Sequence, residues 1–160
     1  MGKKSLAVLL LLITSVSLYA EGKDILTLSL SGGMTLDIAE FGLEKKFLSA
    51  GIAFQFPRTV SPGFKPQFSF NNDTWSLYLP AVLSLPIQSR SNRKITLEPY
   101  MGGGAVYFSD DKAFYPLVTG GLIFHIGSFF TDVPLYWYFH DRDSDFLIGL
   151  NLGWSFAFPR

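Results

Sequence analysis

The sequence predicts an all-β protein: a closed, antiparallel, up-and-down barrel of eight strands that crosses a membrane, after a cleaved signal peptide. Three observations carry that expectation. Large apolar residues alternate with small or polar ones in eight separate stretches, polar turn signals separate those stretches, and aromatic residues gather near strand ends while charges stay in the turns. Successive strand residues face opposite sides, so a period of two gives each strand one greasy face and one slim or polar face.

Composition agrees with an apolar setting. The chain has 160 residues, enough for one domain with a real core but short for two. Charged residues make up 16%, against ~25% in ordinary soluble domains. Aromatic residues also make up 16%, with 16 Phe among them. The formal net charge is zero, so nothing points to nucleic acid. With no cysteine, disulfides, thiolate metal sites and a lipidated N-terminal cysteine are all excluded.

Residues 1–20 read as the signal peptide, and 21–160 as the barrel domain. "MGKK" is a basic start, "SLAVLLLLITSVSLYA" an apolar run, and Ala20 a small residue before the polar "EGKD". The run is shorter than the ~20 residues a membrane helix needs, which disfavours a retained anchor.

The strands follow in order. Leu26, Leu28 and Leu30 alternate with Thr27, Ser29 and Ser31, and Leu48, Ala50, Ile52, Phe54 and Phe56 with Ser49, Gly51, Ala53 and Gln55. Phe64, Phe68 and Phe70 oppose Lys65, Gln67 and Ser69. Trp75, Leu77, Leu79, Ala81, Leu83 and Leu85 begin the fourth apolar face. In the fifth, Ile95, Leu97, Pro99 and Met101 oppose Thr96, Glu98, Tyr100 and Gly102. Val118, Leu122, Phe124 and Ile126 lie opposite Thr119, Gly121 and His125, and Val133, Leu135, Trp137 and Phe139 lie opposite Asp132, Pro134, Tyr136 and Tyr138. The last stretch, "DFLIGLNLGWSFAFPR", puts Phe146, Ile148, Leu150, Leu152, Trp154, Phe156 and Phe158 on one face. Residues 33–46 admit a strand extension, a loop or a helical turn.

Turn chemistry separates the strands. "NNDT" (71–74), "SDDKA" (109–113) and "HDRDSD" (140–145) are polar turns, while "RTVSPG" (58–63) and "QSRSNRK" (88–94) carry Pro, Ser or Asn. Gly127-Ser128 is suited to a two-residue type II′ hairpin. That turn pairs Ile126 with Phe129, His125 with Phe130 and Phe124 with Thr131.

Strands of roughly 9 to 14 residues suit a tilted bilayer crossing better than the ~5 to 6 of a globular sheet. Phe70, Trp75, Tyr107, Trp137, Phe139 and Phe146 belong to one rim, and Phe54, Phe64, Phe124, Phe129, Phe156 and Phe158 to the other, as two polar interfaces select. The alternative is a soluble periplasmic or secreted lipocalin-like barrel that binds a hydrophobic small molecule. Such a barrel would carry charge on its outward strand faces.

This pattern over residues 24–158 resembles the small eight-stranded bacterial outer-membrane barrels, similar to the OmpA membrane domain, OmpX and OmpW. The resemblance implies a bacterial outer-membrane location, with outer-membrane lipid as a partner. It also implies that the final strand, "LNLGWSFAF", is read by the outer-membrane assembly machinery. The chain differs from the pattern by adding Pro159 and Arg160 after Phe158.

An eight-stranded barrel is just wide enough to fill with side chains, so a general porin is not expected. The expected role is structural or surface-interacting, toward a ligand the sequence does not identify. The inward set includes Lys65, Glu98, His125 and Asp132, expected as a polar plug with a hydrogen bond between His125 and Asp132 across their hairpin. Neither enzyme nor cofactor nor metal is expected. "DRDSD" (141–145) has an EF-hand opening, but Phe146 replaces the turn glycine and Leu152 the bidentate Glu. "GGGA" (102–105) lacks the Lys and Ser/Thr of a phosphate loop and reads as close backbone packing. There is no G-x-S-x-G, and His140 with Ser144 imitates only part of a hydrolase site.

The two sets of turns differ in charge. One set holds Asp73, Asp110, Asp111, Asp141, Asp143 and Asp145, partly offset by Lys112 and Arg142; the other holds Arg58, Arg90, Arg93 and Lys94. With both termini in the periplasm, the acidic rim faces outside. It should repel an anionic leaflet unless divalent cations bridge the two or the leaflet is poor in such lipids.

Overall fold

The computed structural model describes residues 24–37, 46–71, 74–88, 95–139 and 144–159. The proposed signal peptide lies outside the described residues, as do the segments 38–45 and 140–143.

Among the described residues, ten hydrogen-bonded strands form one sheet: β1 (Asp24–Asp37), β2 (Lys46–Gln55), β3 (Ser61–Phe64), β4 (Gln67–Asn71), β5 (Thr74–Ser84), β6 (Ile87–Gln88), β7 (Ile95–Phe108), β8 (Ala113–Ile126), β9 (Phe129–Phe139) and β10 (Ser144–Pro159). They make eight staves, because β3 and β4 are two parts of the third stave and β5 and β6 of the fourth. All pairings are antiparallel, and β1 closes on β10 from Leu26 opposite Phe158 to Asp37 opposite Leu147. The sheet is therefore a closed barrel.

Each interruption holds a proline. Pro66 and Pro86 stand in the gaps of the third and fourth staves and have no N–H to give a ladder. Neighbouring groups keep the wall closed: Lys65 N–H donates to the Pro80 carbonyl at 3.0 Å, Ile52 N–H to the Pro66 carbonyl at 3.0 Å, and Leu85 N–H to the Pro99 carbonyl at 2.9 Å. Ser61–Gly63, expected within a turn, instead begin β3 and pair with Ser84, Leu83 and Val82. In the first connection β1 continues as strand to Asp37.

The Gly127-Ser128 hairpin has the expected register, Ile126 to Phe129, His125 to Phe130 and Phe124 to Thr131. Gly127 has φ 63, as the first central position of a type II′ turn requires. The glycine run packs closely against its neighbour: a Cβ at Gly102 would lie 2.0 Å from the Ala81 carbonyl oxygen, and one at Gly104 2.2 Å from that of Leu79.

Side chains sort by parity as the sequence pattern requires. Leu48, Ile52, Met101, Val118, Leu150, Trp154 and Phe158 are exposed on the outward wall, whereas Ser29, Thr35, Ser69, Tyr78, Glu98, Asp132 and Asn151 are buried inside. Among the strand residues whose burial is described, no ionised side chain stands on the outward face. That arrangement is the reverse of a soluble barrel and suits hydrocarbon.

An arginine at Leu150, near the middle of β10, should therefore cost about 2–4 kcal/mol, against about 0–1 at Phe158 near the rim. Urea unfolding of Leu150→Arg and Phe158→Arg in phospholipid vesicles reads the difference, and equal costs would remove the membrane-facing assignment of this wall.

Candidate functional site

The polar residues singled out in the sequence all face the barrel interior, where they form one ion pair and one imidazole–carboxylate contact. Lys65 Nζ lies 2.7 Å from Asp132 Oδ2, and His125 Nε2 lies 3.1 Å from Glu98 Oε2. Glu98 and Asp132 are only 6% and 3% exposed, so each carboxylate depends on its partners in place of water. The Lys65–Asp132 pair joins the third stave to the seventh, which stand opposite each other in a ring of eight. This contact spans the lumen.

The hydrogen bond expected between His125 and Asp132 is replaced by these pairings. The two residues are diagonal neighbours, since His125 pairs with Phe130 and Asp132 with Ile123. Asp132 instead accepts from Lys65 and from Tyr100 OH at 3.0 Å, while the Lys65 ammonium sits 3.7 Å from the centre of the Tyr100 ring. A buried ammonium needs a carboxylate more than an imidazole does, and closure brings the ammonium to Asp132. Tyr100 gains its room from Gly121 on the next strand, where a Cβ would come within 2.6 Å of the phenol.

Further cross-lumen contacts were not legible in the sequence. Gln55 Nε2, on the second stave, donates to Glu98 Oε1 at 2.5 Å and to Ser84 Oγ at 3.3 Å. Tyr136 OH and Asn151 Nδ2 both donate to Gln67 Oε1, and Ser49 Oγ donates to Asn151 Oδ1 at 2.7 Å. Their inward parity was the available signal. It names the face of each residue but not the residue opposite.

Toward the rim opposite the termini, Tyr78, Val106, Leu117, Tyr136, Tyr138 and Leu147 form an apolar cluster, with the Tyr78 and Tyr136 rings 4.7 Å apart. Toward the termini, a cavity of about 20 Å³ is bordered by Ser29, Gln55, Lys65, Gln67, His125 and Asp132, room for about one water. Among the described residues, Gln67 also keeps an amide N–H without a partner. His140 of the partial hydrolase pattern lies outside the described residues.

Removing one partner of a buried pair strands the other charge. Asp132→Ala should therefore destabilise the barrel by about 3–5 kcal/mol, and Lys65→Met combined with Asp132→Leu by much less. Equilibrium unfolding in vesicles measures both; additive losses in the double variant would mean the pair is not coupled.

No protein-family model matches the sequence, and no curated protein matches it. Solved structures match the fold. The N-terminal β-barrel domain of Pseudomonas aeruginosa OprF aligns with TM-score 0.53 at 12% identity, covering 81% of this chain and 97% of that one. The outer membrane enzyme PagL aligns with TM-score 0.56 at 13% identity, covering 84% and 99%. Neisserial surface protein A aligns with TM-score 0.50 at 10% identity, covering 83% and 96%. Closed over eight staves, greasy outside and filled within by polar ties and an apolar cluster, the chain has the fold of the small eight-stranded outer-membrane β-barrels.

Proposed function

We propose that this outer-membrane barrel has a structural or surface-interaction role with a closed interior, and that it is neither a general porin nor an enzyme. The observation that best supports this reading is the Lys65–Asp132 pair, which ties opposite staves together across the lumen. The apolar cluster around Tyr78 and Tyr136 fills the interior on the side opposite the termini. An ion crossing the barrel would have to break a buried ion pair and displace packed rings, both costly in a low-dielectric interior.

The fold also occurs in an enzyme, PagL. The non-enzymatic reading rests on the sequence, which has no G-x-S-x-G and only two histidines, one of them His125 beside Glu98. On this reading the partners are the surrounding lipid and the assembly machinery, engaged through "LNLGWSFAF".

Planar-bilayer recording tests the closed interior. The wild-type chain and Glu98→Gln should both show no resolvable unitary conductance, and a stable open level in the wild type would overturn the reading. Gel mobility tests the barrel itself: an unheated sample should migrate differently from a boiled one in SDS. A monodisperse protein in buffer without detergent would favour the soluble, ligand-holding alternative.

A further inference from the structure

The two rims differ in their rings and in their charge. At the rim opposite the termini, five outward rings follow one another across four staves: Phe70 lies 6.0 Å from Phe68, Phe68 5.4 Å from Trp75, Trp75 5.2 Å from Tyr107, and Tyr107 5.0 Å from Phe114. The 109–112 turn is fastened to this ribbon. Trp75 N–H donates to Ser109 Oγ at 2.9 Å, and Ser109 N–H donates to the Trp75 carbonyl at 3.0 Å. Asp110 and Asp111 are exposed in that turn beside one cation, Lys112, and Asp111 accepts from Tyr115 OH at 3.1 Å. At the rim near the termini, Phe129 and Trp154 lie 6.3 Å apart, Arg58 lies in the turn between β2 and β3, and the sequence between β6 and β7 carries Arg90, Arg93 and Lys94.

An aromatic face carries negative potential, so rings beside carboxylates attract an organic cation and repel a phosphate that has no cation of its own. The outward wall below the ribbon is apolar and suited to acyl chains. We propose that the ribbon from Phe70 to Phe114, with the 109–112 turn, is a docking strip for phospholipids whose headgroup ends in an ammonium, in preference to anionic lipids. The ammonium lies at ring level beneath Asp110, and the acyl chains run down the wall. This strip requires the barrel to sit in a bilayer but not its interior to be closed, so conductance has no bearing on it.

The chain has 3 Trp, at positions 75, 137 and 154. Trp137→Phe with Trp154→Phe leaves Trp75 as the only reporter of the ribbon, and Trp75→Phe with Trp137→Phe leaves Trp154 at the other rim. Each variant is folded in vesicles of phosphatidylcholine and phosphatidylglycerol, with one lipid or the other carrying brominated chains that quench nearby tryptophan. Symmetric vesicles make the direction of insertion immaterial. At equal mole fraction, brominated phosphatidylcholine should reach Trp75 about 2- to 5-fold more effectively than brominated phosphatidylglycerol, the range of an exposed cation–π contact, with no such preference at Trp154. Asp110→Asn with Asp111→Asn should bring the Trp75 ratio toward one; should that variant fail to fold, the comparison between the two tryptophans decides. Equal ratios at both rims would overturn the proposal. So would a Trp75 preference for phosphatidylglycerol that appears on adding Mg²⁺, which would assign the acidic rim to phosphate bridging instead.

Discussion

Hydrocarbon offers no hydrogen-bond partner to a backbone N–H or carbonyl, so a sheet within it must pair every edge. In this chain that demand is met where β1 meets β10, the two strands most distant in sequence. The same demand explains how the wall tolerates its prolines. Pro66 and Pro86 interrupt two staves, yet the N–H groups of Lys65, Ile52 and Leu85 bridge these regions through the carbonyls of Pro80, of Pro66 itself and of Pro99. A proline can still accept a hydrogen bond when it cannot donate one.

Closing eight staves leaves a lumen about as wide as the side chains that line it. Opposite walls come within reach of single side chains, which is why Lys65 meets Asp132 and Gln55 meets Glu98 across the interior. Such contacts are weak evidence for net stability, because taking the charges out of water offsets much of their attraction. Their consequence is geometric: each tie restricts how far two opposite staves can separate. Tyr136 links two regions of this interior, packing against Tyr78 in the apolar cluster while its hydroxyl joins Gln67 and the polar residues nearer the termini.

The outside of the barrel follows a separate rule. Lipid accepts any apolar side chain along the wall but distinguishes the two rims, where headgroups begin. Ring contacts run continuously through Phe68, Trp75, Tyr107 and Phe114 under an acidic turn, whereas the opposite rim combines Phe129 and Trp154 with the turn that holds Arg58. The surface is therefore polarised although the chain as a whole is neutral.

Strand identity and side-chain direction were legible because a period of two is a local property. The run from Phe146 to Phe158 shows its lipid face without reference to any other strand. The Gly127-Ser128 turn similarly sets the register of Ile126 and Phe129, since a two-residue loop allows one pairing. The interruption at Pro66 was less legible: Phe64 and Phe68 keep their common face on both sides of it, so the alternation continues through the gap. By itself, then, the sequence determined which residues face lipid, which face inward and how adjacent strands meet at their tightest turn. Only the tertiary structure decided that Lys65 meets Asp132, 67 positions away, and that His125 turns to Glu98. The physical reason is that contacts across a lumen depend on the stagger and closure of the whole ring, which no single strand or hairpin encodes.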